Sequence, residues 1–439
     1  MLTGGCARSQ AGRRSPRLPS SLVATSGMLQ TRPVLRRIGG LLNPPSCTEV
    51  RPMRFHTPRL LAALLIITAS CLRPPAVHAD DEKGFVPLFN GRDLSGWTLV
   101  NTPPQTWSVQ DQMLICTGKP IGEIRTDKMY QNFILEVEWR HMKPRGNAGI
   151  FVWADDITAR GVPFHRSIEV QVLENAYGNT RGYTTHGDIF PIHGAKMTPV
   201  NGRGGSRAFP TENRSNPSPE WNHYRIECNA GNISLAVNGK VVTRGQQASP
   251  SKGYICLESE GGIVHYRNLR IKELPATPID DQQIATAARG FRSLYSGLDL
   301  NGWRVGDQAT EAWHPQDWVL KFDGKVPLAQ SELTSNEKFG RVQIVFDVRL
   351  LEPTSRLQLQ LGKPKPLEIQ AEKDPLFAQH LLPRGKWNRI ICTKDGAQSQ
   401  ITINGKRHDA HFEPSEHPLT FMASGPLDLA NIYVRKLDP

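Results

Sequence analysis

From Asp80 onward, apolar and polar positions alternate with a period of two. Phe133, Leu135, Val137 and Trp139 interleave with Ile134, Glu136, Glu138 and Arg140, the pattern of a strand with unlike faces. Ile168, Val170 and Val172 share one face of the next such segment, which puts Glu169, Gln171 and Leu173 on the other. Ile233, Leu235 and Val237 alternate up to Asn238-Gly239-Lys240, a hairpin-turn signal leading into Val241-Val242. Tyr254, Cys256 and Glu258 alternate with Ile255, Leu257 and Ser259. Gly, Pro and Asn punctuate the chain at short intervals. Helical character is confined to a short segment expected at Asp281 to Ala288. The pattern predicts an all-β chain of antiparallel strands, a sandwich or jelly roll.

The pattern also occurs twice. Phe89-Asn90-Gly91-Arg92-Asp93-Leu94-Ser95-Gly96-Trp97 returns as Tyr295-Ser296-Gly297-Leu298-Asp299-Leu300-Asn301-Gly302-Trp303. Trp107 matches Trp313, Glu169-Val170-Gln171 matches Glu368-Ile369-Gln370, Trp221-Asn222 matches Trp387-Asn388, and Asn238-Gly239 matches Asn404-Gly405. A repeat this long predicts two domains of one fold. Their expected bounds are 80–275 and 290–439, joined by a linker at 276–289. The recurring tryptophans, Trp97, Trp107 and Trp221 with their counterparts, are expected in the cores. Between the Glu-x-Gln strand and the Trp-Asn pair the first copy spends about fifty residues and the second about seventeen. The long connection contains Thr185-His186-Gly187-Asp188-Ile189-Phe190-Pro191-Ile192-His193-Gly194-Ala195-Lys196. Loss of this loop marks the second copy as degenerate and the first as the working domain.

Charge excludes one function class. The formal charge of +12 is concentrated in residues 1–79, which hold eleven Arg, no Lys and one acid, Glu49. The remainder is near +2, with no electrostatic footprint for nucleic acid. Residues 53–79 read as a secretory signal: basic Met53-Arg54 and Arg59, an apolar run from Leu60 to Ser70, and a small-residue cleavage site at Ala76-Val77-His78-Ala79. That run is too short to span a membrane and no other approaches the necessary length. The expectation is an exported protein, periplasmic or secreted, with no transmembrane segment in the mature chain. Beyond the leader stand Cys116, Cys228, Cys256 and Cys392. The equivalent positions of Cys228 and Cys392 favour two buried thiols, whereas a Cys228–Cys256 disulfide stays open.

His186, Asp188 and His193 fall within eight residues on the long connection, with His165 and Lys196 nearby. His and Asp together offer proton transfer near neutral pH or metal ligation, although the spacing matches no zinc signature. Glu169 and Gln171 share a strand face beside the loop, which begins about a dozen residues later and is expected to fold over that face. Asn147 leads a turn into the Gly149-Ile150-Phe151 strand. Trp153 and Tyr177 are either core residues or platforms for a sugar ring.

Several segments together resemble one family. They are Leu88 to Trp97, Glu138-Trp139-Arg140 leading to Asn147-Ala148-Gly149-Ile150-Phe151, Glu169-Val170-Gln171-Val172-Leu173, Trp221-Asn222-His223-Tyr224-Arg225-Ile226, and Tyr266-Arg267-Asn268-Leu269. In order, over residues 85–275, they look like the 3-keto-disaccharide hydrolases, also described as 3-keto-glucoside lyase/hydratase domains. The resemblance implies two concanavalin-like jelly rolls in tandem, the second degenerate, and a carbohydrate substrate. It implies cleavage of 3-keto-glycosides by C2 proton abstraction, elimination and hydration. Such chemistry needs a base, an acid and an electrophile for the enolate oxygen, a role that a divalent cation fills as well as fixed donors do. Glu169, His186, Asp188 and His193 are the candidate catalytic residues. Glu138, Asn147, Gln171 and Lys196 are the candidate substrate contacts. The contrasting reading is a non-catalytic carbohydrate-binding protein, since fold does not fix function.

Overall fold

The computed structural model describes residues 83–177, 186–287, 290–362, 366–370 and 379–437. All of them lie in one compact unit that runs from Pro75 to Pro439. The signal expected at 53–79 lies outside the described residues.

The alternating segments are strands, and each turns its apolar side inward. In the first sandwich, six strands run in the order Trp97–Val100, Gly122–Thr126, Tyr254–Ser259, Gly149–Ala154, Ser167–Gln171 and Ile189–Ile192. A larger sheet faces it, in which Phe133–His141 lies between Asn222–Asn229 and Val264–Glu273. Ile124, Ile150, Ile168, Val170 and Leu257 of the first sheet meet Leu135, Val137, Tyr224, Ile226 and Leu235 of the second in one core. Asn238 and Gly239 both take positive φ, 47° and 86°, which lets Val237 pair directly with Lys240 across a two-residue turn. Residues 290–437 repeat the arrangement with a separate core around Ile344, Phe346, Val348, Ile390 and Phe421. The fold is therefore all-β, two jelly-roll sandwiches in tandem. The short helix expected after the first sandwich is a single 3-10 turn at Asp281–Gln283. Among the described residues, no helix is long and apolar enough to cross a membrane. Cys116, Cys228, Cys256 and Cys392 are free, buried thiols.

Trp97 and Trp107 are buried as expected. Trp221 is not: it is half-buried on the outer face of the larger sheet. The Arg140 and Arg267 guanidinium groups lie 4.5 and 4.0 Å from its ring centroid, a cationic cover that takes the place of a core.

The two sandwiches are joined by more than the linker. The loop between the Gly149–Ala154 and Ser167–Gln171 strands lies on the outer face of the second sandwich. Gly161 donates its N–H to Asp347 Oδ2 at 2.9 Å, and Arg160 donates to Asn404 Oδ1 at 2.9 Å. Gly161 has a φ of +74°, and an added Cβ would fall 2.3 Å from Trp387 Cδ1, so only glycine fits. Val100, Phe291, Val345 and Tyr433, backed by Ile157 and Ile391, form the apolar part of the contact. Fully buried Asp347 is its centre, since it also accepts from Arg389 Nε and Nη2, both at 2.8 Å, and from Asn431 Nδ2 at 2.7 Å. Asp347→Ala leaves the Arg389 cation without its partner and is expected to cost about 3–5 kcal/mol, the penalty for breaking a buried pair. Denaturant titration of the full chain checks this; a loss below about 1 kcal/mol would show that the pair is solvated.

Candidate functional site

Strand register brings the polar positions of the first sandwich to one place. Glu169 lies opposite Phe151 on one side and Phe190 on the other. Cys256 also lies opposite Phe151, and Glu258 lies opposite Glu123. These side chains share the face of the six-stranded sheet that points away from the core. Gly149 is the gap that lets two acids meet there. A Cβ on it would come 3.0 Å from Glu169 Oε1 and 3.1 Å from Glu258 Oε2. Asn147, just ahead of that strand, donates its amide N–H to Glu260 and accepts from Gln171 Nε2 at 3.0 Å. A cleft of about 220 Å³ opens above these groups, with Phe164, Tyr177, Phe190 and His193 on its walls. That is below the roughly 300–1,000 Å³ of clefts for drug-sized ligands and suits a single sugar ring better than a chain.

Burial of like charge dominates the electrostatics. The Glu169 carboxyl is pushed up to about 8, first by burial and next by the charge of Glu260, against the pull of Arg207. Burial and the same neighbours push Glu258 up as well. Glu260 is raised by burial too, but hydrogen bonds from Glu258 and Asn147 oppose the rise. Shared protons are the result: Glu169 is neutral near pH 7, and Glu260 is the member best placed to hold negative charge. Partial desolvation lowers the His193 pKa, although the residue is exposed at the cleft rim.

Of the residues singled out from the sequence, Glu169, Asn147, Gln171 and His193 come together in this cleft. Asp188 is fully buried and holds Arg207 at 2.9 Å. The Arg207 guanidinium lies 3.4 Å from the Phe190 ring centroid, so Asp188 reaches the cleft through it. His186 is elsewhere, with Nδ1 2.8 Å from Ser215 Oγ. Two expected substrate contacts are displaced. Glu138 lies on the outer face of the opposite sheet, where it accepts from Arg267 Nε and Asn268 Nδ2, both at 2.7 Å. Lys196 is exposed at the start of the Lys196–Pro199 strand, on the edge of that same sheet. Tyr177 lines the cleft, whereas Trp153 is core.

The acids that stand beside Glu169 are Glu258 and Glu260, neither singled out from the sequence. Their signal was present, since Glu258 lies on a strand whose other face is Ile255 and Leu257, and Glu260 follows two residues later, just past its end. What the sequence did not show was which strand would lie beside it. A wider recess of about 520 Å³, bordered by Glu136 and Glu138, lies on the opposite sheet. Its acids are tied up: Glu136 contacts Arg225 and Arg270, each at 2.5 Å.

Residues 84–272 match the family described as the 3-keto-alpha-glucoside-1,2-lyase-like domain, so the resemblance read from the residues holds for the first sandwich. A 3-keto-disaccharide hydrolase of Bacteroides thetaiotaomicron is 24% identical over 239 residues, covering 44% of this chain and 80% of that protein. Among solved structures, a protein of Parabacteroides distasonis provisionally named a glycosyl hydrolase is 22% identical. The match covers 46% of this chain and 98% of that one, with a TM-score of 0.35. A carbohydrate-binding module of Bacillus subtilis is 12% identical, over 41% of this chain and 98% of that one, with a TM-score of 0.30.

His141 and His186 are both held at about 4 by burial, against an ordinary 6.5. Stability from their neutral burial is fully present above about 6.5 and is lost as pH falls towards about 4, because the unfolded chain binds the protons more readily. Glu169, Glu258 and Glu260 act in the opposite sense, because their raised pKa values favour the folded chain as pH falls. The expectation is therefore differential: His186→Gln should lose less melting temperature, or gain more, between pH 7 and pH 4 than the unmodified chain. Circular-dichroism melts across the range test this; an unaltered slope in the variant would mean His186 is solvated.

Proposed function

We propose that the first sandwich is an exported carbohydrate-active enzyme that cleaves 3-keto-glycosides by elimination and hydration. The observation that carries this reading is the carboxyl trio Glu169, Glu258 and Glu260, set in a small aromatic-walled cleft of the domain that matches the family. A C3 ketone acidifies the C2 hydrogen. Glu260, with Asn147 supporting its negative form, takes that proton, and the C2–H electron pair becomes the enolate. His193 supplies a donor at the cleft wall for the enolate oxygen, while Gln171 holds Asn147 against Glu260. Collapse of the enolate forms the C1–C2 double bond and breaks the C1–O bond. Glu169, protonated near pH 7, gives its proton to the departing oxygen. Water then adds its hydroxyl at C1 while a proton returns to C2, so the sum is hydrolysis. Glu258 relays protons between the other two. Separate environments for acid and base are the usual means by which one site runs both halves of such chemistry.

The test is turnover of a 3-keto-disaccharide beside its unoxidised parent. The full chain is expected to cleave the keto sugar alone. Glu169→Gln and Glu260→Gln should each lower kcat by roughly 10²–10⁴-fold with unchanged melts. Glu138→Gln, on the other sheet, should leave kcat within about a factor of three, since it removes no group from the cleft. Saturable binding of the keto sugar with no cleavage by the unmodified chain would instead establish a carbohydrate-binding protein.

A further inference from the structure

Beneath the cleft lies a second cluster to which the proposed chemistry gives no role. Glu123 and Cys256 stand on adjacent strands of the six-stranded sheet, and His165 ends the loop that leads into the Ser167–Gln171 strand. All three are fully buried, at 0% exposure. One donor atom from each lies within 4.8 Å of the other two. Cys256 Sγ is 3.8 Å from His165 Nδ1, and the same nitrogen is in contact with Glu123 Oε1. We propose that Glu123, His165 and Cys256 form a site for one zinc-type divalent cation.

Three observations support it. The first is the donor set: one sulfur, one nitrogen and one oxygen suit a borderline-soft ion of the zinc type, not magnesium or calcium, which take oxygens. The second is spacing. Bonds of about 2.3 Å to sulfur and about 2.0–2.1 Å to nitrogen place those atoms about 3.6 Å apart on a tetrahedron, close to the S–N separation of 3.8 Å here. The Glu123–His165 contact is closer than two ligands of one ion and opens when the ion binds. The third is what the cluster lacks. Apart from the contact of Oε1 with His165, neither Glu123 oxygen has a hydrogen-bond partner. The ion-pair contact with His165 serves one carboxylate oxygen only, and the Cys256 thiol has a long contact to the same nitrogen. The site stands on geometry and does not require the sugar chemistry to be right.

The experiment uses the full chain from residue 80, stripped with chelator and titrated with Co²⁺, which reports its ligands spectroscopically. Expected is one equivalent bound, with a thiolate-to-cobalt band in the near ultraviolet, and a rise in melting temperature on adding Zn²⁺. Cys256→Ser should abolish that band while far-ultraviolet circular dichroism stays unchanged. Glu123→Gln should weaken Co²⁺ binding by more than the roughly 10–100-fold that an outer-shell change costs. A folded wild-type chain that binds no stoichiometric Co²⁺ overturns the proposal, as does a cobalt spectrum indifferent to Cys256→Ser. The wild-type result decides even where a variant fails to fold. Keto-sugar turnover is measured separately, so the loss of one conclusion leaves the other standing.

Discussion

Burying several carboxylates side by side is the constraint around which the first sandwich is arranged. Glu123, Glu169, Glu258 and Glu260 gather on or beside one sheet face, where water is scarce and each acid resists the ionisation of the next. Such a cluster persists only where neighbours share protons or donate hydrogen bonds to it. Asn147, held by Gln171, does the second, Arg207 adds the opposing charge, and Gly149 supplies the space. The long connection after Gln171 is part of the same solution. It carries Phe190 and His193 to the cleft wall and, further on, Arg207 to Asp188.

The duplication shows one apparatus used in two ways. On the outer face of each larger sheet an arginine covers a tryptophan: Arg140 on Trp221 and Arg349 on Trp387, each at 4.5 Å. Asn268 and Asn431 hold the same left-handed backbone, with φ of 52° and 51°. In the first copy the nearby acid, Glu138, turns to Arg267 and Asn268 and the face stays open. In the second, Asp347 turns to Arg389, Asn431 and the backbone of Gly161, and the face grips a loop of its neighbour. The copy without a histidine loop has the other copy's loop as its cargo.

Much of this was legible in the chain, and the limits were physical. Period-two alternation is a local property of extended backbone, so the inward faces of Phe133–His141, Ser167–Gln171 and Tyr254–Ser259 could be read directly. Asn238-Gly239 announced its turn because few other residue pairs accept two positive φ values. The site was legible only in part. Glu169, Gln171, Asn147 and His193 do meet in the cleft, because the strands flanking Ser167–Gln171 on either side are its neighbours in the chain. Glu258 and Glu260 were not joined to them, because strand order is a long-range property that alternation does not encode. Trp221 misled for a related reason: recurrence in both copies was taken as a core signal, whereas the repeated feature is a cation-covered surface. Glu138 had the right chemistry on the wrong sheet.

The loop gripped by the second sandwich starts beside Asp155 and ends at His165, so its far end is also a wall of the cleft region. The partners in that grip are tethered by a linker of about fourteen residues, and docking is therefore an intramolecular event. Short tethers give effective concentrations on the order of millimolar. A contact whose intrinsic dissociation constant was only about micromolar would then be open about once in a thousand molecules. The second copy can thus lose affinity by mutation over a wide range before His165 feels any slack. Its sequence is free to drift on every surface except the one that holds the loop.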